Sequence, residues 1–132
     1  MRLAPKKEMT MRFMLKTSLI ASAAIIVSLS AASAHPRVTS AGPAPGSVVS
    51  SSPKTISIQF NEGIVASFSG IELTNGKGEK QSVGAAASPT DKKQLVIPVT
   101  SDLAPGKYTV AWHVVGDDTH KVEGKFDFEF KP

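Results

Sequence analysis

Alternation of apolar and polar residues is the feature of this sequence that most restricts its fold. It occurs in three stretches, which read KTISIQF at 54–60, KYTVAWHVV at 107–115 and KVEGKFDFEF at 121–130. A period of two places successive side chains on opposite faces of an extended chain, so each stretch predicts a β-strand with one buried face. No stretch has the 3.6-residue period of an amphipathic helix. The sequence therefore predicts an all-β protein.

Clusters of Gly, Pro, Ser and Asn separate these stretches from weaker apolar runs. Counting all runs predicts seven strands, near 37–42, 54–60, 64–74, 79–84, 93–99, 106–115 and 122–130. Seven short strands in about a hundred residues are typical of an immunoglobulin-like or cupredoxin-like Greek-key β-sandwich. Pro98 cannot donate to a central ladder, so we expect its strand at a sheet edge or a bulge. Tyr108 and Trp112 fall on an apolar face and are expected in the core.

The first 34 residues have the organisation of a secretory signal peptide. Basic residues at positions 2, 6, 7, 12 and 16 come before or beside an apolar run at 19–29, and Ala32-Ser33-Ala34 follows. That order of charge, apolar run and small residues is typical of an exported protein with a cleaved leader, and Met11 is an alternative start to Met1. The apolar run is shorter than the roughly 20 residues that a bilayer span requires. We expect residues 1–34 to be removed and residues 35–132 to form one exported domain.

Residues 35–132 differ from the whole chain in net charge and in sulfur content. Residues 1–34 hold five of the 15 basic and one of the 11 acidic residues, which leaves ten of each and no formal net charge in 35–132. We therefore expect no nucleic-acid partner. Cys is absent and all four Met precede His35, so the domain has neither a disulfide nor a sulfur ligand for a metal. We expect a monomer.

The turn between the last two predicted strands, GDDTHKVEG at 116–124, is longer and more polar than connectivity requires. If consecutive strands run alternately up and down, this turn, the start of the domain and the connection that holds Asn61 and Glu62 lie at the same pole. Asp118 and His120 are two residues apart, so in an extended segment both would point the same way, with Thr119 opposite. The sequence therefore predicts that these polar segments converge with the chain start.

Cleavage after Ala34 would give His35 a free α-amine beside its imidazole, and these two nitrogens can chelate one metal ion. Pro36 has no backbone N–H, so the metal cannot recruit an amide nitrogen from that peptide bond. Imidazole and carboxylate groups suit divalent Cu, Ni or Zn, and affinity is greatest for copper, which would be Cu(II) in an oxidising exported compartment. Protons compete for these nitrogens, so binding should weaken in acid.

These segments resemble the CopC family of periplasmic copper-resistance proteins. The resemblance rests on HPRVTSAGPAPGSVVSSSP after the leader, FNE at 60–62, LAPGKYTVAWHVVGDDTH and VEGKFDFEF, and it spans residues 35–132. It implies a small β-sandwich that binds one Cu(II) ion through His35, Asp118 and His120, with Glu62 as a further metal-site acid. It also implies a CopD-like copper-transport partner in the inner membrane. The Met-rich loop of many members is missing here, because residues 78–93 hold no Met or His, which argues against Cu(I) handling.

Three functions fit these patterns. The first is a non-enzymatic periplasmic Cu(II) carrier or buffer in copper homeostasis and resistance. The second is a histidine-brace copper oxygenase, because an amine-plus-imidazole chelate with a second His resembles the copper centre of polysaccharide-oxidising monooxygenases. The third is a metal-free immunoglobulin-like scaffold or adhesion domain, in which His35 is merely solvated and the carboxylate of Asp118 bonds its own backbone. We expect Asp117 to be a solvated loop residue and His113 to lie on the outer sheet face, outside the site.

Overall fold

The computed structural model describes residues 35–132, and the predicted leader, residues 1–34, lies outside the described residues. The described chain forms seven strands and one 3-10 turn at Ala66–Phe68. The strands are β1 (Val38–Gly42), β2 (Val48–Val49), β3 (Thr55–Phe60), β4 (Gly70–Asn75), β5 (Gln94–Pro98), β6 (Gly106–Val115) and β7 (Lys121–Phe130). One sheet has the order β1-β3-β5 and the other β2-β7-β6-β4. The predicted all-β sandwich is confirmed, and β5 lies at a sheet edge, as Pro98 indicated.

Alternation along the strands decides which side chains enter the core. The core comprises Ile56, Ile58, Phe60, Ile64, Ile71, Leu73, Leu95, Ile97, Val99, Leu103, Tyr108, Val110, Val114, Phe128 and Phe130. Burying a large apolar side chain stabilises a fold by about 1.5–3 kcal/mol relative to exposing it. Among residues 35–132 no charged or polar residue is buried. The two sheets are therefore held together by apolar burial between their inner faces.

Tyr108 and Trp112 both contact this core, as predicted. The Tyr108 hydroxyl donates to the carbonyl of Ala104, and its ring stacks on Phe128 with centroids 5.5 Å apart. A tyrosine at the start of a long strand that bonds back to the preceding loop is the tyrosine corner of Greek-key sandwiches. Trp112 is partly buried and packs edge-on against Phe60, with ring centroids 5.3 Å apart.

The third predicted strand begins later in the structure than the sequence indicated. The apolar run after residue 63 forms the 3-10 turn, and the strand starts only at Gly70. The Ser69 hydroxyl donates to the Val65 carbonyl and accepts the N–H of Val115, which fixes a turn where extended chain was predicted. This local bonding between side chain and backbone competes with a strand ladder.

Two other predictions of strands differ from the structure. Residues 79–84 form no regular strand and make only single bridges, at Lys80 and Val83. In contrast, Val48 and Val49 form a two-residue strand that pairs in parallel with residues 129 and 130 at the end of β7. A segment of two residues has no periodicity that a sequence pattern can reveal.

The strand registers place several connections at one end of the sandwich. Val38 lies opposite Phe60, Gln59 opposite Gln94, and Val115 opposite Lys121. Hydrogen bonds then join the connections, because Ile64 N–H donates to the Lys92 carbonyl at 2.8 Å and Val65 N–H to the Val115 carbonyl at 2.8 Å. We call this end, which carries residues 35–37, 61–69, 91–93 and 116–120, the N-terminal pole.

One edge of the larger sheet is only partly covered. β2 pairs with β7 at Glu129 and Phe130 alone, so within the described chain no strand pairs with the outer side of residues 121–125. The outward-facing side chains there are Lys121, Glu123 and Lys125, and all three are exposed. In the described residues, none of the helical segments has the length and apolar character needed to span a membrane.

Candidate metal centre

The turn between β6 and β7 is a three-residue hairpin loop. Gly116 N–H donates to the His120 carbonyl at 3.0 Å, and Thr119 N–H donates to the Gly116 carbonyl at 2.9 Å. Thr119 has a φ of 71°, in the left-handed region. A turn followed by one left-handed residue is a common connection of this length. The expectation of an extended segment with Thr119 opposite is therefore wrong, because the left-handed residue turns the chain between Asp118 and His120.

The Asp118 carboxylate uses both oxygens toward His120. Its Oδ1 accepts the His120 backbone N–H at 3.1 Å, and its Oδ2 lies 3.1 Å from His120 Nδ1. The backbone hydrogen bond is the main cause that lowers the pKa of the Asp118 carboxyl; the His120 ring and the charge of His35 add to it, and desolvation opposes it. The carboxylate is therefore ionised at neutral pH. Asp118 thus accepts a hydrogen bond from the backbone two residues on, as the scaffold alternative predicts for this turn. Its other oxygen is still presented to the neighbouring side chains.

The structure brings His35 to this turn. Its Nδ1 lies 4.0 Å from Asp118 Oδ2, and its ring lies edge-on to the His120 ring with centroids 5.0 Å apart. One donor atom from each of the three residues lies within 4.8 Å of the others. Among residues 35–132 this His-Asp-His cluster is the one group of three or more His, Cys, Asp or Glu close enough to hold a metal ion. The convergence that the chain direction predicted is present.

The cluster is open to solvent. The side chain of Asp118 is 26% exposed, whereas those of His35 and His120 are 52% and 65% exposed. Two imidazoles and a carboxylate form a donor set that suits divalent Cu, Ni or Zn. An ion held there would be reached from outside without opening the fold. The cluster is therefore an accessible group of possible ligands on the surface of the domain.

Pro36 fixes the chain next to His35, a role that no sequence pattern indicates. Its side chain is fully buried. A Cβ added to Gly116 would lie 3.0 Å from Pro36 Cγ, 3.2 Å from Pro36 Cδ and 2.8 Å from Asp118 Oδ1. Glycine at 116 is thus required for the close approach of the proline ring to the turn. Pro36 and Gly116 together set the distance between His35 and the other two members of the cluster.

The remaining predicted residues lie outside the cluster. Glu62 is half-buried in the connection after β3 at the N-terminal pole, but it is not part of the His-Asp-His cluster. Asp117 is exposed and its N–H donates to the Gly63 carbonyl at 3.1 Å. His113 lies on the outer face of β6, as expected, with its ring over Gly70.

Thr119 occupies a backbone conformation that disfavours β-branched residues. We expect Thr119→Asn to raise the free energy of unfolding of the metal-free protein by about 1 kcal/mol, because asparagine tolerates the left-handed region. Urea unfolding followed by circular dichroism measures this change. Thr90→Asn is the control, since Thr90 is an exposed loop residue without a positive φ and its replacement should change stability by less than about 0.5 kcal/mol. An equal or lower stability of Thr119→Asn would contradict the prediction.

Comparisons with known proteins show which family this chain belongs to. The profile of the CopC domain matches residues 38–131. Protein YobA of Escherichia coli (strain K12) is 39% identical over 99 residues, covering 74% of this chain and 80% of the relative. Copper resistance protein C of Pseudomonas syringae pv. tomato is 40% identical over 106 residues, covering 76% of this chain and 83% of the relative.

A solved structure agrees with the sequence comparisons. The crystal structure of PcoC, a methionine-rich copper resistance protein from Escherichia coli, matches with a TM-score of 0.66 and 32% identity, covering 74% of this chain and 99% of PcoC. The profile match and these relatives together cover both sheets of the sandwich. The chain therefore belongs to the CopC family.

Proposed function

We propose that residues 35–132 form a periplasmic Cu(II)-binding protein that carries or buffers copper in copper homeostasis and resistance, with one ion per chain. The observation that carries this proposal is the convergence of His35, Asp118 and His120, whose donor atoms lie within 4.8 Å of one another. Relatives named copper resistance protein C and PcoC support copper as the metal. The proposal includes removal of residues 1–34, which converts the backbone nitrogen of His35 from an amide to an amine.

The processed protein would offer three nitrogens and one oxygen to the ion. The nitrogens are the α-amine and imidazole of His35 and the imidazole of His120, and the oxygen belongs to Asp118. Four nitrogen and oxygen donors suit the tetragonal geometry of Cu(II), and affinity at such a site is greatest for copper. Glu62, at the same pole but outside the cluster, is not needed to complete this set.

The donor set favours Cu(II) over Cu(I). Cu(I) prefers the soft sulfur ligands of Cys and Met, and residues 35–132 contain neither residue. PcoC, in contrast, is described as methionine-rich. We therefore propose that this protein handles the oxidised ion alone.

We propose a carrier without enzymatic turnover. A polysaccharide oxygenase needs a flat face of exposed aromatic side chains beside its copper, and Phe68 is the one exposed aromatic residue among residues 35–132. An open cluster on a monomer is compatible with transfer of the ion to a CopD-like copper-transport partner in the inner membrane. The carrier role needs only reversible binding at an accessible site.

Titration of Cu(II) into the exported, processed protein tests this function. Trp112 is the single tryptophan of the chain and lies on the strand that leads to the metal turn, so its fluorescence should be quenched until one ion is bound per chain. Mass spectrometry of the same sample identifies its first residue. Quenching without saturation would support a metal-free scaffold. Oxidation of a polysaccharide in the presence of reductant and oxygen would support the oxygenase.

Copper binding should weaken between about pH 8 and about pH 5, because protons compete for imidazole and amine nitrogens. The lowered pKa of Asp118 means that its carboxylate remains ionised throughout this window and loses its charge only in stronger acid. Affinity measured at several pH values, with proton release followed by calorimetry in different buffers, checks this dependence. An affinity that is constant across the window would show that the imidazole and amine nitrogens are not the ligands.

A further inference from the structure

Arg37 and Asn61 form a pair that extends the ladder between β1 and β3 one step beyond Val38 and Phe60. Asn61 N–H donates to the Arg37 carbonyl at 3.0 Å, as in a regular antiparallel pair. The reciprocal bond differs, because Arg37 N–H donates to the side-chain Oδ1 of Asn61 at 2.7 Å. The side-chain amide thus takes the place of the backbone carbonyl that a continued ladder would supply.

Because the side chain of Asn61 accepts this hydrogen bond, the backbone after Asn61 can leave the ladder and still contact Arg37. The chain then crosses to the metal turn, where the Gly63 carbonyl accepts the Asp117 N–H at 3.1 Å and Ile64 forms a bridge with Gly116. One connection therefore contacts both the segment that carries His35 and the turn that carries the other two members of the cluster.

We propose that Asn61 is a positioning residue for copper, an inference that rests on the proposed function. We call residues 35–37 the arm. The buried ring of Pro36 holds the arm against Gly116, and the two hydrogen bonds between Arg37 and Asn61 hold it against the residue that follows β3. Only His35 then extends beyond the last fixed residue.

Holding the arm reduces the cost of metal binding. A chain terminus without tertiary contacts is poorly ordered, and ordering it on binding lowers the affinity for the ligand. With the arm fixed, the nitrogens of His35 are already beside Asp118 and His120 before the ion arrives. Asn61 does not contact the ion and acts through the arm.

The first test does not involve copper. In the metal-free, exported and processed protein, the Arg37 amide hydrogen should exchange slowly, because Asn61 Oδ1 accepts it. Asn61→Ala should speed this exchange several-fold, whereas Asn61→Asp, which keeps an oxygen at the same position, should preserve it. If the alanine protein folds poorly, Asn61→Ser is a milder second variant. Its hydroxyl is too short to reach Arg37, so it should also speed the exchange. Unchanged exchange in both Asn61→Ala and Asn61→Ser would overturn the proposal.

The second test measures whether the effect passes through His35. Competition titration with Cu(II) compares the unmodified protein, Asn61→Ala, His35→Ala and the double variant. We expect Asn61→Ala to weaken binding by about three- to tenfold, the equivalent of one hydrogen bond, and to have a smaller effect when His35 is already replaced, because only the α-amine of residue 35 then remains for the arm to position. Asn61→Asp should bind like the unmodified protein.

The two hypotheses fail in different ways. An equal loss from Asn61→Ala with and without His35 would show a general effect on the fold and would overturn the positioning role alone. No loss from Asn61→Ala, while His35→Ala binds weakly, would also overturn that role and leave the metal site intact. An unmodified protein that binds no better than His35→Ala would contradict the proposed function itself.

Discussion

A form of the exported protein that keeps one extra residue, such as Met, before His35 is expected to bind Cu(II) more than about 100-fold more weakly than the processed protein. The extra residue turns the α-amine of His35 into a peptide amide, which must lose its proton before it can bind the ion. The two imidazoles and the Asp118 carboxylate remain. Residues that only orient a metal ligand contribute about 10- to 100-fold to affinity, so losing a direct ligand should exceed that range.

Competition against a chelator of known affinity measures this loss, and electron paramagnetic resonance reports how many nitrogens contact the ion. The matched control carries the extra residue after Pro132, at the other end of the chain, and should bind copper like the unmodified protein. Equal affinity of the two extended forms would show that the α-amine is not a ligand.

Replacing His120 should have a comparably large effect. His120→Ala removes the ring nitrogen that faces Asp118 Oδ2 at 3.1 Å, so Cu(II) binding should weaken more than about 100-fold. The backbone N–H of residue 120, which Asp118 Oδ1 accepts, is unaffected by the substitution. The turn should therefore keep its conformation, and circular dichroism should show an unchanged fold while competition titration shows the loss.

His113→Ala is the control for this experiment. His113 lies on β6, the strand that leads to the turn of His120, but its ring lies on the outer face over Gly70 and outside the His-Asp-His cluster. Its replacement should change copper affinity by less than about twofold. A loss as large as that of His120→Ala would place the metal on the outer face of the sheet.

The regular part of the fold could be predicted because alternation has a direct physical cause. In β3 and β6 the side chains that alternate toward the core are apolar, so the sequence places both strands within one residue of their observed limits. Residues 79–84 were wrongly predicted as a strand, since a mixed polar segment that makes only single bridges has the same turn-bounded appearance. The parallel pairing of β2 depends on tertiary contact and leaves no local pattern.

Predicting that His35 lies near the last turn requires less information than predicting the limits of the strands. It depends only on chain direction, and residues 76–93 run back toward the N-terminal pole even though they form no regular strand. Contacts on the scale of single atoms could not be predicted in this way. The approach of Pro36 to Gly116 and the side-chain bond from Asn61 to Arg37 depend on the exact path of the backbone. Sequence patterns report periodicity and direction and carry no such detail.

The partly covered edge of β7 has a consequence for how the protein behaves at high concentration. Unpaired strand edges invite a second molecule to add its own strand, and a domain with ten basic and ten acidic residues has no net charge to keep copies apart. Lys121 and Lys125 flank the uncovered stretch, so a second copy aligned there would bring like charges together and leave them partly desolvated. The colloidal stability of residues 35–132, whose formal charges sum to zero, would then depend on two lysines at one edge.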